Sequence, residues 1–262
     1  MKGVVLAGGL GTRLNPLTRV TNKHLLPVYD RPMIYYPIQT LLNAGIDEVL
    51  IVTGGEHAGD FLKLLGNGKK LGVRKLNYTY QEGEGGIADA LLLAEDFAEG
   101  GKTCVILGDN IIERNIRAAV GEFLTQPSGA KILLKEVDEP ERFGVPRFEN
   151  DRIVEIIEKP ATPPSRWAVI GVYMFDADVF DIARTLEPSN RGELEITDVN
   201  NAYIRRGDLT THVLDGWWAD AGTFESLHRA GCLVTETGAN NVAEPADPKV
   251  AVGTTGEPAS SH

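Results

Sequence analysis

Residues 4–13 read Val4-Val5-Leu6-Ala7-Gly8-Gly9-Leu10-Gly11-Thr12-Arg13. The apolar run at the start has the composition of a strand buried on both faces. It empties into glycines and ends in an arginine. Glycine lets the backbone approach a ligand closely, and successive N–H groups in such a loop can converge on one oxyanion. Lys23 follows shortly after, just ahead of Leu25-Leu26-Pro27, and brings a second fixed positive charge. A strand, a glycine loop and two cations together meet what a nucleoside triphosphate requires.

The loop belongs to neither common phosphate-binding motif. Gly9-Leu10-Gly11-Thr12-Arg13-Leu14 lacks the third glycine of G-x-G-x-x-G, and the next strand ends in Thr53-Gly54-Gly55 where a dinucleotide site needs an acid. No G-x-x-x-x-G-K-[ST] occurs anywhere.

Outward from this stretch, short apolar runs alternate with segments of helical period. Residues 32–44 carry Ile34, Ile38, Leu41 and Leu42 at helical spacing, with Gly45 as the stop. Strands are expected at 49–52, 76–80 and 104–107, and helices at 57–65 and from Ile87 through Phe97. Such alternation predicts βαβ units and an α/β fold with a Rossmann-like, mainly parallel but mixed sheet flanked by helices. The glycine loop, Gln81 and Asp109 then all fall at carboxyl ends of strands, where ligands of such sheets sit.

The second half is richer in strands, expected at 131–137, 145–148, 153–157 and 169–175, with helices at 177–186, 194–206 and 223–237. One domain over 1–237 is expected, its first half (1–110) carrying the glycine loop and its second half (111–237) being the strand-rich part. From 238 to 262 no apolar period survives and Pro245, Pro248 and Pro258 are scattered among small residues. That segment is expected to be a disordered tail.

The chain has 262 residues and a net charge of −11. The acidity argues against a nucleic-acid surface or an anionic membrane face. Charge is uneven, however: residues 1–31 hold Lys2, Arg13, Arg19, Lys23 and Arg31 against Asp30 alone. A local basic patch in an acidic protein fits a small anionic ligand. No apolar run approaches a membrane span and no signal-peptide pattern is present, so a cytoplasmic protein is expected. Cys104 and Cys232 are read as reduced cysteines acting as small hydrophobes.

Several later segments fall into one pattern with the opening. Asn22-Lys23-His24-Leu25-Leu26-Pro27-Val28, Leu107-Gly108-Asp109-Asn110, Glu158-Lys159-Pro160 and the run from Arg191 to Val199 stand in a fixed order. The chain resembles the sugar nucleotidyltransferases, and within them the short-form thymidylyltransferases acting on glucose 1-phosphate. The resemblance runs from residue 1 to about 237. It implies joining of a sugar 1-phosphate to a nucleoside triphosphate, with release of pyrophosphate. The substrates implied are dTTP and glucose 1-phosphate, the cofactor is Mg²⁺, and the assembly is a homo-oligomer, tetramer or dimer. Such chemistry needs positioning and charge neutralisation rather than a general base, because a phosphate monoester is already largely ionised at neutral pH.

The resemblance also assigns residues. Arg13 and Lys23 are the catalytic cations, Arg13 on the departing pyrophosphate and Lys23 between the α-phosphate and the incoming sugar phosphate. Leu6, Gly8, Gly9, Gly11, Thr12, Arg13, Gln81, Gly86, Ala88 and Asp109 would bind the nucleotide. Gln81 offers both a donor and an acceptor, which suits an imide edge. Asp109 and Asp220 would hold the metal. Gly144, Glu158, Lys159, Gly171, Tyr173 and Arg191 would form the sugar-phosphate side, and Trp217-Trp218 is read as packing. The sequence departs from the family pattern at Asp89, where glutamine is usual, and at Ile170, where threonine is expected. Two alternatives stand beside this reading: the same chemistry with UTP or another hexose 1-phosphate, and a non-catalytic nucleotide-sensing relative.

Overall fold

In a computed structural model, which describes residues 1–241, β1 (Lys2–Ala7) lies in the interior of a nine-stranded sheet. Around it the chain runs through the two-residue strands β2 (Pro27–Val28) and β3 (Arg31–Pro32), α1 (Tyr35–Asn43), β4 (Glu48–Gly54), α2 (Ala58–Leu65), β5 (Lys75–Gln81), α3 (Ile87–Leu92), α4 (Glu95–Ala98) and β6 (Thr103–Leu107). Then come β7 (Asn110–Ile112), α5 (Arg117–Thr125), β8 (Ala130–Glu136), β9 (Gly144–Glu149), β10 (Arg152–Glu158), β11 (Trp167–Phe175), α6 (Asp178–Arg184), α7 (Ile196–Arg206), β12 (Leu209–Val213), β13 (Trp218–Asp220) and α8 (Phe224–Thr237). The α/β class and the mixed, mainly parallel sheet match the sequence reading.

β1 pairs in parallel with β4 on one side and β6 on the other, with Leu6 opposite both Val52 and Leu107. β5 continues the parallel set beyond β4. β11 runs antiparallel to β6, and its bulged first half turns instead to β9, so that the β9–β10 hairpin flares away from the parallel set. β8 and β12 close the opposite edge.

The pleat sorts the core. Val4 and Leu6 face a layer built by α3, α4, α6 and α7, whereas Val5 and Ala7 face α1, α2 and α5. A third, smaller cluster seats Ala230 and Val234 of α8 on Ile111 and Ala219 of the β7–β13 pair. Thr223 and Ser226 cap α8 reciprocally.

Where elements differ from expectation, tertiary contacts decide. The first helix begins at Tyr35 because Arg31–Pro32 pairs back onto Pro27–Val28. The helix expected from Leu194 begins at Ile196, because Leu194 exchanges backbone hydrogen bonds with Gly85 and Ala88. The run from Ile87 to Phe97 splits into α3 and α4, with the Ala94 N–H donating to the Leu91 carbonyl in a tightened turn.

The expected tail starts too early at 238. Asn240 is buried: its Oδ1 accepts from Thr40 Oγ1 at 2.6 Å and its Nδ2 donates to the Tyr36 carbonyl at 3.0 Å. Asn241 bridges to Arg114. Residues 242–262 lie outside the described residues.

Of the cysteines, only Cys104 acts as a core hydrophobe, with burial pushing its thiol up to about 12, whereas Cys232 is exposed on α8. Among the described residues no helix is long and apolar enough to cross a membrane.

Candidate active site

The chain leaves β1 toward β4 on one side and later places β6 on the other, so the sheet order reverses between β1 and β6. A crevice opens at the carboxyl ends of such strands. Here it is the mouth of a cavity of about 580 Å³. The glycine loop can lie flat across it only without side chains. A Cβ on Gly8 would come within 2.9 Å of Gln81 Oε1, and one on Gly11, already at φ +68°, within 2.8 Å of Lys23 Cβ. The loop therefore wraps the Lys23 stem.

Lys23 opens a short 3-10 turn that Asn22 caps, its Oδ1 accepting from the His24 N–H at 2.9 Å. The same oxygen lies 2.7 Å from His24 Nδ1, which fixes a proton on that nitrogen, since the amide oxygen only accepts. Burial first, and then the Lys23 charge, lower the His24 pKa to about 3. His24 is thus a neutral strut. Its ring lies so close to Gly108 that a Cβ there would meet Cδ2 at 2.6 Å.

Opposite the loop stand two carboxylates. Lys23 Nζ lies 2.5 Å from Asp109 Oδ2, with the two side chains 13% and 9% exposed. Burial alone would raise the Asp109 pKa, but Lys23 overrides it and holds the carboxyl well below the usual range. Asp220 shows the opposite balance. Burial, and then the Asp109 charge, push it up to about 6 against Lys23 and Arg13. Its Oδ1 is buried with no hydrogen-bond partner.

Gly222 marks where these groups meet. A Cβ there would lie 2.9 Å from Asp220 Oδ1, 3.0 Å from Arg13 Nη2 and 3.6 Å from Asp109 Oδ2. The Ala221 N–H donates to the Asp109 carbonyl at 2.9 Å, which ties the two acidic segments together. Among the described residues no three His, Cys, Asp or Glu side chains form a complete metal cage. Two carboxylates, one with an orphaned oxygen, instead suit a hard divalent ion that completes its shell with phosphate oxygens and water.

The other expected residues fall on the same cavity, with one exception. Leu6, Gly9, Thr12 and Arg13 line it at the β1 end, and Gln81 and Gly86 at one side. Ala88 does not. It is fully buried, and its N–H already donates to the Leu194 carbonyl at 3.1 Å. Gln81 also differs from expectation. Its Nε2 donates to the Gly86 carbonyl at 3.1 Å and to Asp89 Oδ2 at 2.7 Å, leaving only its oxygen to the cavity.

On the far side, Glu158 ends β10, where its Oε2 accepts from Thr197 Oγ1 at 2.6 Å. Lys159, in the left-handed region at φ +44°, lies 3.4 Å from Glu158 Oε1. Gly144 faces Thr197 and Glu158. The Gly171 N–H donates to Asn110 Oδ1 at 3.1 Å. Tyr173 is buried against Phe175, and burial raises its hydroxyl pKa strongly. Arg191 lies 2.8 Å from Glu195 Oε2 and 3.5 Å from Glu158 Oε1, so its charge is shared among acids.

The chain matches the nucleotidyl transferase family over residues 2–237. It belongs to that family. The glucose-1-phosphate thymidylyltransferase of Neisseria meningitidis serogroup A is 45% identical over 238 residues, covering 89% of this chain and 82% of that protein. That of Mycobacterium tuberculosis is 42% identical over 237 residues, with the same coverage of 89% and 82%. A crystal structure from Bacillus anthracis, assigned as a glucose-1-phosphate thymidylyltransferase and complexed with a sucrose, superposes with a TM-score of 0.86 at 52% identity, over 90% of this chain and 96% of that one. A UDP-glucose pyrophosphorylase complexed with UDP-glucose gives a TM-score of 0.78 at 25% identity, over 89% and 98%.

Three residues of this candidate site do more than the sequence reading assigned to them. Asn110 is a junction: its Oδ1 accepts from Gly171 N–H and from Trp218 Nε1, at 3.1 and 2.7 Å, joining β7, β11 and β13 beneath the acids. It lies inside a segment singled out for its neighbour Asp109. Trp218 packs edge-on against Phe143 at 4.9 Å and lines the cavity as well. Gly222 carries no chemistry of its own, and only the fold shows that three charged groups surround it.

Proposed function

We propose that this nucleotidyltransferase transfers the thymidylyl group of dTTP to α-D-glucose 1-phosphate, releasing pyrophosphate and forming dTDP-glucose. The convergence of Arg13, Asp109 and Asp220 around Gly222, with Lys23 paired to Asp109, carries this reading. Two anions must meet there, and the cations stand between the loop and the acids.

The residues take their roles from these positions. The loop from Gly8 to Arg13 offers backbone N–H groups to the triphosphate. Arg13 neutralises charge that builds on the leaving pyrophosphate. Lys23 bridges the α-phosphate and the incoming sugar phosphate, oriented by Asp109 and by the loop around its stem. Glu158, held by Thr197, accepts from sugar hydroxyls, and Lys159 lies beside it for the sugar phosphate. A neutral His24 adds no competing charge. Asp109 and Asp220 would hold Mg²⁺, which when bound supplies Lewis-acid charge stabilisation to the reacting phosphates. The nucleotide-binding half is 1–110 and the sugar-binding half 111–237. A homo-oligomer, dimer or tetramer, and a cytoplasmic location accompany this reading.

Pyrophosphate release across a matrix of dTTP, UTP and dCTP with several hexose 1-phosphates tests it. The pair dTTP and glucose 1-phosphate should be among the best. A clear preference for UTP or another hexose would overturn the specificity, and binding of dTTP without any turnover would overturn the enzymatic reading.

A further inference from the structure

Behind Gln81, which lines the cavity, stands an acid that the proposed reaction does not use. Asp89 stands on α3, and its Oδ2 accepts from Gln81 Nε2 at 2.7 Å. The other hydrogen of that nitrogen goes to the Gly86 carbonyl at 3.1 Å. A carboxylate and a carbonyl can only accept, so the amide nitrogen of Gln81 must face both of them. Its oxygen is left toward Gly8, where a Cβ would come within 2.9 Å of it. No hydrogen-bond donor among the described residues reaches that oxygen.

We propose that Asp89 is a positioning residue for base selection: it locks Gln81 so that the incoming base meets an acceptor only. This deepens the nucleotidyl-transfer reading and rests on it. A pyrimidine imide, as in thymine or uracil, presents one ring N–H between two carbonyls. That N–H donates to Gln81 Oε1. Cytosine carries a lone pair at the same ring position, so two acceptors would face each other in a largely desolvated site. Thymine and uracil share the imide and are not separated by this device. Sequence alone reads Gln81 as donor and acceptor alike, and Asp89 together with the Gly86 carbonyl removes half of that choice.

Calorimetric titration of the full chain with dTTP and with dCTP tests the proposal, with turnover on glucose 1-phosphate measured in parallel. The variants are Asp89→Asn and Asp89→Glu, each checked for folding by thermal melting. The wild-type protein should bind dTTP well above dCTP. Asp89→Asn can donate to a turned Gln81, so the preference should narrow by about tenfold to a hundredfold. Asp89→Glu keeps an acceptor-only partner and should retain most of it, which a merely structural role for this position would not produce. The proposal is overturned if folded Asp89→Asn keeps the wild-type preference within about twofold, if Asp89→Glu loses it as far as Asp89→Asn does, or if the wild-type protein binds both nucleotides equally. Retained preference for dTTP in a protein that turns over no sugar phosphate would remove the transfer reading and leave base selection standing.

Discussion

Replacing Lys23 with methionine removes one charge and keeps most of the stem that the glycine loop encloses. Two consequences can be scaled from the structure. The first is kinetic: loss of one preorganised charge-stabilising donor costs on the order of a hundredfold to a thousandfold in kcat. The loop N–H groups and Arg13 remain, so the Kd for dTTP should rise by less than about tenfold.

The second consequence is conformational. Lys23 and Asp109 form a pair at 2.5 Å, 13% and 9% exposed. Breaking a buried pair from one side costs about 3–5 kcal/mol while the remaining charge persists. The sign of the pH dependence follows. In the wild-type fold, burial opposes ionisation of Asp109 but Lys23 outweighs it, so its pKa is depressed. Its contribution is present above the unfolded pKa and fades as pH falls through the folded value. Without Lys23, burial and Asp220 raise that pKa instead, and the folded state relieves the penalty by taking up a proton. Lys23→Met should therefore be destabilised more at pH 8 than at pH 5. Urea unfolding in EDTA at both pH values, calorimetry with dTTP and pyrophosphate release give the three numbers. A destabilisation equal at pH 5 and pH 8, or a dTTP affinity that falls as far as kcat, would refute the reasoning.

Asp220→Asn should weaken metal dependence of turnover while stabilising the metal-free fold. The wild-type carboxyl, raised to about 6 by burial and then by Asp109, disfavours folding once ionised. That cost appears as pH rises from about 4 through 6 and amounts to at most about 3 kcal/mol. Equal pH–stability profiles for the two proteins in EDTA would contradict it. Gly222→Ala should fold but lose turnover by at least about tenfold, because its Cβ would stand 2.9 Å from Asp220 Oδ1 and 3.0 Å from Arg13 Nη2. Wild-type kinetics in that variant would show that Asp220 and Arg13 need not converge there.

Much of the fold was legible in the chain itself, because period and punctuation are local properties. Val4-Val5-Leu6 reads as a buried strand, the glycines after it as a loop, and repeated strand–helix alternation as parallel neighbours. Lys23 and Asp109 could be singled out by the order of their segments, and Asp220 by the family resemblance. Residue types also carried the preference for anions and a hard metal.

Distances across the sheet were not legible, since they depend on which strands become neighbours. Lys23 and Asp109 are 86 positions apart and meet at 2.5 Å only because β6 pairs with β1. The Ala88 N–H is already taken because the fold brings Leu194, remote in sequence, beside it. Asn240 belongs to the fold and not to a tail because Thr40 and Tyr36 satisfy its amide. The sequence alone determined which groups could bind a nucleotide. Tertiary structure decided which of their hydrogen bonds and charges are still free to do so, because each such group is shared with whatever the fold brings beside it.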